Sequence, residues 1–507
     1  MNITQETILL MKEALRNSSA DLAKAVTQAQ GLTYYDLQAP AKNLYPTITK
    51  LRNITPRVGR PSGYGTAAHW KVVHGLTGSG FDAMGWVPEG QRSGTMSYTT
   101  SDESAAYVTL GEEDYLTFEA ESAGEGFEDV NATVSMRLLQ KTMRKEDTGL
   151  LAGNASLALG TMPNPALSAK ADISSTLPSA TYNVICVALT LEGWLNARGN
   201  AANGITPSKT ITGADGQTFT LNGGSANKSS SVTQATVINT SALACTVAPV
   251  TGAAAYAWYV GVGAGNETLQ AITTINSAYF NAPLATGRQN ASAITADNSK
   301  NGALAFDGFL INAWTGGGTV MAQATGTAGT GTPLTSSGRG SIVEIDNLLQ
   351  AMWDNYRLGP THIFVSSQEQ KNITGKVLSN ASAPLLRYDV SATPGQPYAI
   401  TAGGQIRYYY NPFTGGGSDG PGGGEMIEVI AHPDLAPGTM FAPCMKLPEW
   451  YQSNEVPNTA EVITRRDYYR IDWPLRTRRR EYGIYAEEVL AVYAPFALGL
   501  VTNIANG

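Results

Sequence analysis

SAGEGFEDVNATVSMRLLQKTMRKEDTGLLAG, residues Ser122–Gly153, predicts one long helix that is entered from a β-hairpin. One apolar stripe repeats at the three- and four-residue steps of a helix face and consists of Phe127, Val130, Val134 and Leu138. A second stripe lies roughly opposite and consists of Met136, Leu139, Met143 and Leu150. A surface helix of a globular protein normally has a single apolar face. Two faces therefore predict a helix that is covered from both sides.

Charges along this stretch follow the helix dipole. Acidic residues precede basic ones in the order Glu125, Glu128, Asp129, Arg144 and Lys145. About 25 residues at ~1.5 Å each make a rod of ~37 Å, and Gly153 is a typical helix stop. On its own the stretch favours an ordinary buried helix of a large enzyme. The flanking segments change that interpretation.

The composition is that of a large chain with little charge. It has 507 residues, of which 42% are hydrophobic and 15% charged. So low a charged fraction predicts that neighbouring subunits cover much of the surface. The net charge of −7 argues against nucleic-acid binding by the chain as a whole, because phosphate backbones attract basic surfaces.

Cysteine usage and hydropathy disfavour two further classes of protein. Cys186, Cys245 and Cys444 are an odd and scattered set, which does not make a disulfide framework. No segment has the pattern of a signal peptide, and no apolar run is long enough to span a bilayer. These features favour a cytosolic origin and argue against a membrane partner.

The first 58 residues predict an arm. Residues 3–29 have the apolar spacing of an amphipathic helix, whereas Leu32–Gly63 has several prolines and no period. An extended segment that carries Tyr34 and Tyr35 but has no core of its own must lie on another surface.

Residues 59–121 predict a long hairpin. Ala67–Leu76 is one strand, and Tyr98–Phe118 alternates like a strand with a turn at Gly111–Asp114. The turn-rich tip, Gly85–Gly94, carries Trp86. Because a two-stranded ribbon is marginally stable alone in water, we expect this one to rest on a partner surface.

Lys and Arg become rare between Thr181 and Ala285, where short strand patterns alternate with Gly, Asn and Ser clusters. The predicted strands are Asn183–Leu191, Lys209–Ile211, Thr218–Leu221, Leu243–Pro249, Ala254–Val262 and Gln270–Ile275. This spacing predicts a β-sandwich, and Leu243–Gly263 resembles a strand pair of immunoglobulin or fibronectin type. Cys186 and Cys245 could face each other across the sheets as reduced core residues.

The remaining sequence predicts an α/β body. Ala291–Gly340 is linker-like, and Ser341–Glu344 predicts a capping box at the start of a helix. Strands are predicted at Tyr398–Tyr410, Glu425–Ile430 and Tyr482–Pro495.

Taken in order, the arm, hairpin, rod, insertion, α/β body and closing strand resemble the major capsid protein of tailed bacteriophages, the Hong Kong 97-type fold. The segments that carry the resemblance are Tyr34–Val58, Trp86–Thr100, Leu116–Gly153, APGTMFAP and EEVLAVYAP. The order of the segments is more specific than any one of them. The resemblance covers nearly the whole chain apart from the sandwich.

The resemblance implies an α+β fold with named parts. These are an N-terminal arm at 1–58, an extended hairpin loop at 59–121, the spine helix and start of the peripheral domain at 122–180, an Ig-like insertion at 181–300, the axial domain with part of the peripheral domain at 301–460, and a C-terminal return to the peripheral domain at 461–507. The insertion departs from the minimal pattern and resembles the outward Ig-like additions of some of these proteins.

The same resemblance implies a structural function. The chain would assemble into pentamers and hexamers of an icosahedral head that encloses double-stranded DNA, and it would be located in the virion after assembly in the host cytoplasm. Its partners would be copies of itself, portal and scaffold proteins, decoration proteins, and packaged DNA weakly and non-specifically. Some relatives crosslink subunits through a loop Lys, but Lys71 lies within a predicted strand rather than at the tip, which favours a non-covalent shell.

An arginine cluster near the C-terminus is the strongest charge feature. It comprises Arg465, Arg466, Arg470, Arg476, Arg478, Arg479 and Arg480. It could be a solvated face, a DNA-facing lining, or a set of contacts with carboxylates of a neighbouring subunit, for which Arg geometry is suited. The acidic net charge favours the subunit contact. The predicted contact residues are these arginines with Glu112, Glu113, Asp114, Tyr34, Tyr35 and Trp86.

Two other function classes compete with a shell protein. A secreted Ig-containing adhesin or carbohydrate-binding surface protein is the main alternative, and a signal peptide would favour it.

A cytosolic enzyme with an Ig module would need a catalytic site. His69 and His74 are five residues apart on a predicted strand and so face opposite ways. No hydrolase, metalloprotease or phosphate-loop motif is present, so we expect no catalytic residue, metal or cofactor.

Overall fold

A computed structural model describes residues 49–60, 65–77, 84–124, 129–338, 340–379, 387–389, 399–401, 406–413, 424–448 and 457–507. The predicted amphipathic helix at 3–29, together with Tyr34, Tyr35 and Phe127, lies outside the described residues. The described part is a mixture of helices and strands, which confirms the predicted α+β class.

The α-helices are mostly short and alternate with groups of strands along the chain. They are α1 (Lys50–Ile54), α2 (Phe118–Gly124), α3 (Val130–Ala152), α4 (Leu191–Ala197), α5 (Phe309–Thr315), α6 (Val343–Tyr356) and α7 (Ser367–Ser379). None of the helices in these ranges is both long enough and apolar enough to span a bilayer.

The strands, in chain order, are β1 (Arg57–Gly59), β2 (Ala67–Thr77), β3 (Ser97–Ala106), β4 (Val108–Thr117), β5 (Ala166–Ala171), β6 (Ala180–Leu189), β7 (Ser208–Thr212), β8 (Thr218–Asn222), β9 (Val232–Thr236), β10 (Ser241–Thr246), β11 (Ala255–Val262), β12 (Thr268–Thr273), β13 (Ser277–Phe280), β14 (Thr319–Ala322), β15 (Thr332–Pro333), β16 (His362–Val365), β17 (Arg387–Asp389), β18 (Ala399–Thr401), β19 (Tyr408–Asn411), β20 (Glu425–Ala431), β21 (Met440–Pro443), β22 (Ala460–Asp472), β23 (Arg479–Val492), β24 (Leu498–Thr502) and β25 (Ile504–Ala505).

The long helix is present but begins later than the sequence pattern predicts. Asp129 caps it, because its side chain accepts a hydrogen bond from the backbone N–H of Ala132 at 3.0 Å. A separate helix, α2, ends at Gly124. The single helix predicted from Ser122 is therefore wrong at its start. A strong N-cap residue and a glycine favour a break where apolar spacing alone suggests continuity.

Both predicted stripes of α3 contain residues that its own chain buries. Leu138 of the first stripe and Leu150 of the second are buried, whereas Met136 of the second stripe is 61% exposed. The prediction of a helix covered on both sides is therefore confirmed at Leu138 and Leu150 and wrong at Met136. The buried part of the helix also holds Glu146 and Asp147, whose side chains the apolar pattern does not anticipate.

A four-stranded sheet in the order β1-β22-β23-β4 supports α3. β22 and β23 form an antiparallel hairpin, β4 runs antiparallel to β23, and β1 runs parallel to β22. The helix packs on this sheet through Val134 and Leu138, which meet Leu116, Tyr482 and Ile484.

The predicted turn at Gly111–Asp114 is wrong, because β4 runs straight through it and the pairing of Gly111 with Tyr485 is part of the ladder. A Cβ atom at Gly111 would lie 2.2 Å from the Tyr485 ring, so the glycine makes room for an aromatic neighbour rather than for a turn. The real break lies at Tyr107. β2 and β3 form a separate two-stranded ribbon that precedes it.

A second, six-stranded sheet has the order β14-β24-β21-β16-β20-β19. Helix α6 covers it with Ile345, Leu348, Leu349 and Met352, which share a core with residues of β16, β20 and β21. β24 lies in this sheet and β25 pairs with β15. After β23 the chain therefore leaves the four-stranded sheet and ends in the six-stranded sheet and the β15–β25 pair.

Helix α5 corrects the linker prediction for Ala291–Gly340. Phe309, Leu310, Ile311 and Ala313 are buried in the core that the two body sheets share. Seven residues give too few turns for helical spacing to be recognised in the sequence.

The region between α3 and α5 contains a β-sandwich. A three-stranded sheet, β13-β10-β5, faces a four-stranded sheet, β12-β11-β6-β9. Cys186, Cys245 and Trp258 lie in the core between them, and both cysteines are free thiols. The sandwich includes a strand, Ala166–Ala171, that lies before residue 181, where the sequence analysis began the insertion.

We expect buried and exposed positions of α3 to differ sharply in their effect on stability. Leu151→Ala, at a fully buried position of the shared core, should lower the free energy of unfolding by about 2–5 kcal/mol. Met136→Ala, at a position 61% exposed on the same helix, should change it by less than about 0.5 kcal/mol. Chemical denaturation of the unassembled chain measures both, and equal effects would contradict the burial of Leu151 in the shared core.

Candidate subunit-contact site

The β2–β3 ribbon carries exposed apolar side chains near its tip. Trp86 is 91% exposed, and Met84, Val87 and Met96 are 62%, 43% and 64% exposed. Water-exposed apolar surface of this kind is unfavourable at about 25 cal/mol per Å² relative to burial. Trp86 is the most exposed of the large hydrophobic residues in the part of the chain that the structure describes.

The base of the ribbon is fixed to its own chain. Ala68, Trp70 and Ala105 pack with Ile463 and Val489 of the β22–β23 hairpin. The indole N–H of Trp70 also donates to the backbone carbonyl of Val492 at 3.1 Å. The ribbon therefore has a firm base and an uncovered tip.

The arginine cluster lies on β22, β23 and the turn between them. Five of its side chains meet carboxylates of the same chain, in the pairs Arg465–Glu487 (2.5 Å), Arg470–Asp472 (2.8 Å), Arg478–Glu119 (2.8 Å), Arg479–Glu481 (2.6 Å) and Arg480–Glu121 (3.3 Å). The cluster is thus largely neutralised within its own chain. Exposed pairs of this kind add little stability because water screens them.

Several of these guanidinium groups also lie over aromatic rings. The carbon atom at the centre of the Arg470 guanidinium is 4.5 Å from the centroid of Tyr482, and that of Arg479 is 4.6 Å from the centroid of Tyr115. Arg466 lies over Tyr469 at 5.6 Å. Cation–π contacts help to fix these guanidinium planes, and the Arg470 guanidinium also donates to Asp472, Ser135 and Asn131 of its own chain.

The turn of the β22–β23 hairpin is a second protruding apolar and cationic tip. Leu475 is 64% exposed and Trp473 38%. Arg476 is exposed, and the side chain of Arg478 is 83% exposed. Both arginines are therefore accessible to another molecule at this tip.

The predicted acidic contacts are partly occupied. Glu112 pairs with Lys141 at 3.2 Å and with Lys145. Glu113 accepts hydrogen bonds from the indole of Trp473 at 3.1 Å and from the hydroxyl of Tyr485. Asp114 accepts the N–H of Tyr115 at 2.8 Å. A role of these three carboxylates between subunits stays a prediction.

A buried ion cluster that sequence reasoning missed lies beneath this surface. The Glu146 and Glu488 side chains are 0% exposed. Arg52 contacts Glu146 at 2.6 Å, and Arg57 contacts Glu146, Glu488 at 3.1 Å and Asp467 at 2.9 Å. The Tyr468 hydroxyl also donates to Glu146.

The surroundings of this cluster raise the pKa values of both a carboxyl group and a guanidinium group, for different reasons. Burial raises the pKa of Glu488 to about 8, and the charge of Glu146 adds to that effect. Burial alone lowers the pKa of Arg57, but the charges of Glu146, Glu488 and Asp467 outweigh it and raise the pKa above its usual value. The guanidinium is therefore held charged, whereas one carboxyl favours its proton.

A second buried network starts at the next residue of α3. Asp147 accepts the backbone N–H of Arg52 at 2.7 Å with one oxygen and the Nε2–H of His432 at 2.9 Å with the other. The N–H of Asp434 donates to Nδ1 of His432 at 3.2 Å. Asp147 therefore connects α1, α3 and the loop after β20.

Asp147, His432 and Asp434 also place three potential metal-ligand atoms within 4.8 Å of one another. Both ring nitrogens of His432 already take part in hydrogen bonds, and a nitrogen must present a free lone pair to bind a metal. The arrangement is therefore a hydrogen-bond network that joins elements. In the sequence Asp147 stands at the end of a run of charges, RKED, that is typical of a solvated helix end.

Comparison with known proteins gives matches among solved structures only. No protein-family model matches the chain, and no curated protein matches it in sequence. A capsid chain of a native GTA particle has 9% identity and a TM-score of 0.42, with 95% of this chain and 99% of that chain covered. A capsid chain of cyanophage A-1(L) has 10% identity and a TM-score of 0.40, with 94% and 98% covered.

The chain is also similar to the encapsulin of the holo-SrpI complex from Synechococcus elongatus PCC 7942. The identity is 8% and the TM-score 0.37, with 96% of each chain covered. The GTA and cyanophage chains are capsid proteins, the class that the sequence resembles.

We expect Asp147→Ala to destabilise the body strongly. The substitution leaves the N–H of Arg52 and the Nε2–H of His432 without their acceptor in a buried place, which should cost about 3–5 kcal/mol of unfolding free energy. Thermal and chemical denaturation of the purified chain measure the loss.

Asp354→Ala is the matched control, since Asp354 is exposed on helix α6. It should change the unfolding free energy by less than about 0.5 kcal/mol. A similarly small loss for Asp147→Ala would show that the network does not hold the helix to the six-stranded sheet.

Proposed function

We propose that this chain is the subunit of an icosahedral phage head, and that it assembles into pentamers and hexamers around double-stranded DNA. The observation that carries the proposal is the ribbon whose base is anchored and whose tip leaves Trp86 91% exposed. A two-stranded ribbon with an apolar tip reaches stability by resting on another surface.

A second copy of the chain is the partner that best suits this ribbon. The chain has a low charged fraction, 15%, and a second exposed tip at Trp473 and Leu475. Two outlying apolar tips on one rigid body allow each subunit to contact more than one neighbour. Repeated contacts of this kind between identical subunits build closed symmetric assemblies.

The body supplies the rigid tile of the proposed shell. Leu150 and Leu151 of α3, Phe364 and Phe441 of the six-stranded sheet and Leu490 of the four-stranded sheet share one core. Because dense cores resist deformation, the two sheets form one rigid unit from which the two tips extend.

Packaged DNA is proposed as a weak, non-specific partner. The net charge is −7, and five arginines of the cluster already meet carboxylates of their own chain. Phosphate binding depends on a net basic protein surface that displaces counterions from the nucleic acid. We propose that the cluster mainly serves contacts between subunits, with portal and scaffold proteins as further partners.

We propose that the sandwich is an Ig-like insertion that faces away from the genome and meets decoration proteins, and the 88% exposure of Ile173 on a turn after β5 supports this orientation. Lys71 lies 4.0 Å from Asp102 within the ribbon, and both side chains are more than three-quarters exposed. We propose that the shell is non-covalent and that the chain has no catalytic function.

Electron microscopy of the expressed protein tests the proposal directly. We expect shells, capsomers or tubes for the wild type, and a loss of at least about tenfold in assembled particles for Trp86→Ser, because the variant removes the largest apolar contact of the tip. Ile173→Ser, at a similarly exposed position of the sandwich, should assemble normally. Lone wild-type monomers under all conditions would contradict the proposal and favour the adhesin alternative.

Charge reversal at the second tip gives an independent test. Arg478→Glu should block or strongly reduce assembly while leaving the unfolding temperature almost unchanged, since its pair with Glu119 is exposed on both sides. Particle yield by sedimentation and unfolding by calorimetry measure the two effects. Lys300→Glu, an exposed cation near the sandwich, is the control. Normal particle yield from Arg478→Glu would show that Arg478 makes no essential subunit contact.

A further inference from the structure

The segment formed by α1 and β1, residues 50–59, is attached to the body through the buried ion cluster. Arg52 of α1 and Arg57 of β1 are the two cations of this cluster. Both contact Glu146 on α3, and Arg57 also contacts Glu488 on β23 and Asp467 on β22. The hydroxyl of Tyr468, also on β22, donates to Glu146. These are the charged and titratable groups that face Glu488 from the elements packed around it.

The charge count of the cluster favours one proton on its carboxyl groups. Two arginines balance two carboxylates, and Asp467, whose side chain is 65% exposed, already neutralises part of Arg57. With two arginines and three carboxyl groups, the cluster is neutral when one carboxyl group carries a proton, and Glu488 has the buried oxygen without a partner among the described residues. An additional buried negative charge without its own partner is strongly unfavourable.

The contacts of Glu488 agree with that count. Its Oε2 meets Arg57 at 3.1 Å, but its Oε1 is buried and accepts no hydrogen bond from any residue that the structure describes. The Glu146 and Glu488 carboxyl groups both contact the guanidinium of Arg57, through its two terminal nitrogens, so the two buried groups are neighbours. Two ionised carboxylates beside one guanidinium repel each other, and a proton on one of them removes that repulsion.

We propose that Glu146 and Glu488 form a proton-linked latch, in which a proton on Glu488 holds residues 50–59 against the long helix and the four-stranded sheet. Loss of that proton places two negative charges side by side and loosens the segment. The segment precedes the ribbon in the chain, and the ribbon begins at Ala67. The latch therefore controls how firmly residues 50–59, ahead of the ribbon, are attached to the body. The inference concerns the single chain and does not depend on the proposed shell.

The direction of the pH effect follows from the pKa of Glu488, which burial raises from an ordinary 4.5 to about 8. A carboxyl with a raised pKa stabilises the closed segment fully at pH values below 4.5, and this stabilisation is lost as the pH rises to 8. Each opening releases a proton in that range. The equilibrium constant for opening should therefore rise by up to about tenfold per pH unit between pH 5 and 8 and then level off.

Hydrogen–deuterium exchange of the full chain, read on peptides that span residues 49–60 and corrected for intrinsic exchange, measures this constant. We expect the wild type to open at least about tenfold more at pH 8 than at pH 6. Glu488→Gln keeps the size and a hydrogen-bond donor but cannot ionise. It should abolish the pH dependence and give better protection than the wild type at pH 8.

Glu487→Gln is the matched control on the same strand. Burial raises the pKa of Glu487, but hydrogen bonds from Arg465 and Tyr469 outweigh it and lower the pKa overall. This variant should keep the wild-type pH dependence at residues 49–60. A wild-type equilibrium constant for opening that stays level from pH 5.5 to 8 overturns the proposal, whether or not Glu488→Gln folds. A Glu488→Gln variant whose opening constant rises with pH as steeply as that of the wild type also overturns it.

Discussion

Two adjacent carboxylates on the buried face of the long helix hold the body together by facing different partners. Successive residues of an α-helix point about 100° apart, so Glu146 meets Arg57 and Tyr468 at the four-stranded sheet, whereas Asp147 meets His432 beside the six-stranded sheet. Arg52 connects the two networks, because its guanidinium binds Glu146 and its backbone N–H binds Asp147. One residue of α1 thereby fixes both contacts of the helix.

Apolar packing and these charges make different contributions. The core around Leu151, Phe309 and Phe441 supplies most of the favourable free energy, since burial of apolar surface dominates folding. That force has no direction and would tolerate small rotations of one sheet against the other. Hydrogen bonds to buried carboxylates are directional, and leaving them unmade is costly. We interpret the ion cluster as the feature that sets the angle between the sheets.

Sequence patterns predicted the parts of the fold that depend on local spacing. The alternation around Trp258 gave β11 and its place in a sandwich core, and Cys186 and Cys245 lie in that core as expected. The patterns failed where a distant residue competes for a local group. Glu344 does not complete a capping box, because its carboxylate accepts instead from the backbone of Thr335 and the amide of Gln323, both at 2.8 Å. Glu146, Asp147 and His432 could not be predicted as a site, because their partners are hundreds of residues apart in the chain.

The geometry of the ribbon explains why its tip remains uncovered within one molecule. Strand β2 has 11 residues, which at ~3.3 Å each extend ~36 Å from a base that Trp70 and Ala68 fix to the four-stranded sheet. Folding the tip back onto its own body would require breaking either that anchor or the β2–β3 ladder. Either loss exposes more apolar surface or more backbone hydrogen-bonding groups than covering Trp86 would bury. Burial of the tip is therefore more favourable on a second molecule than on the same one. Because the base of the ribbon is fixed to a rigid body, such a contact would have the same geometry in every copy.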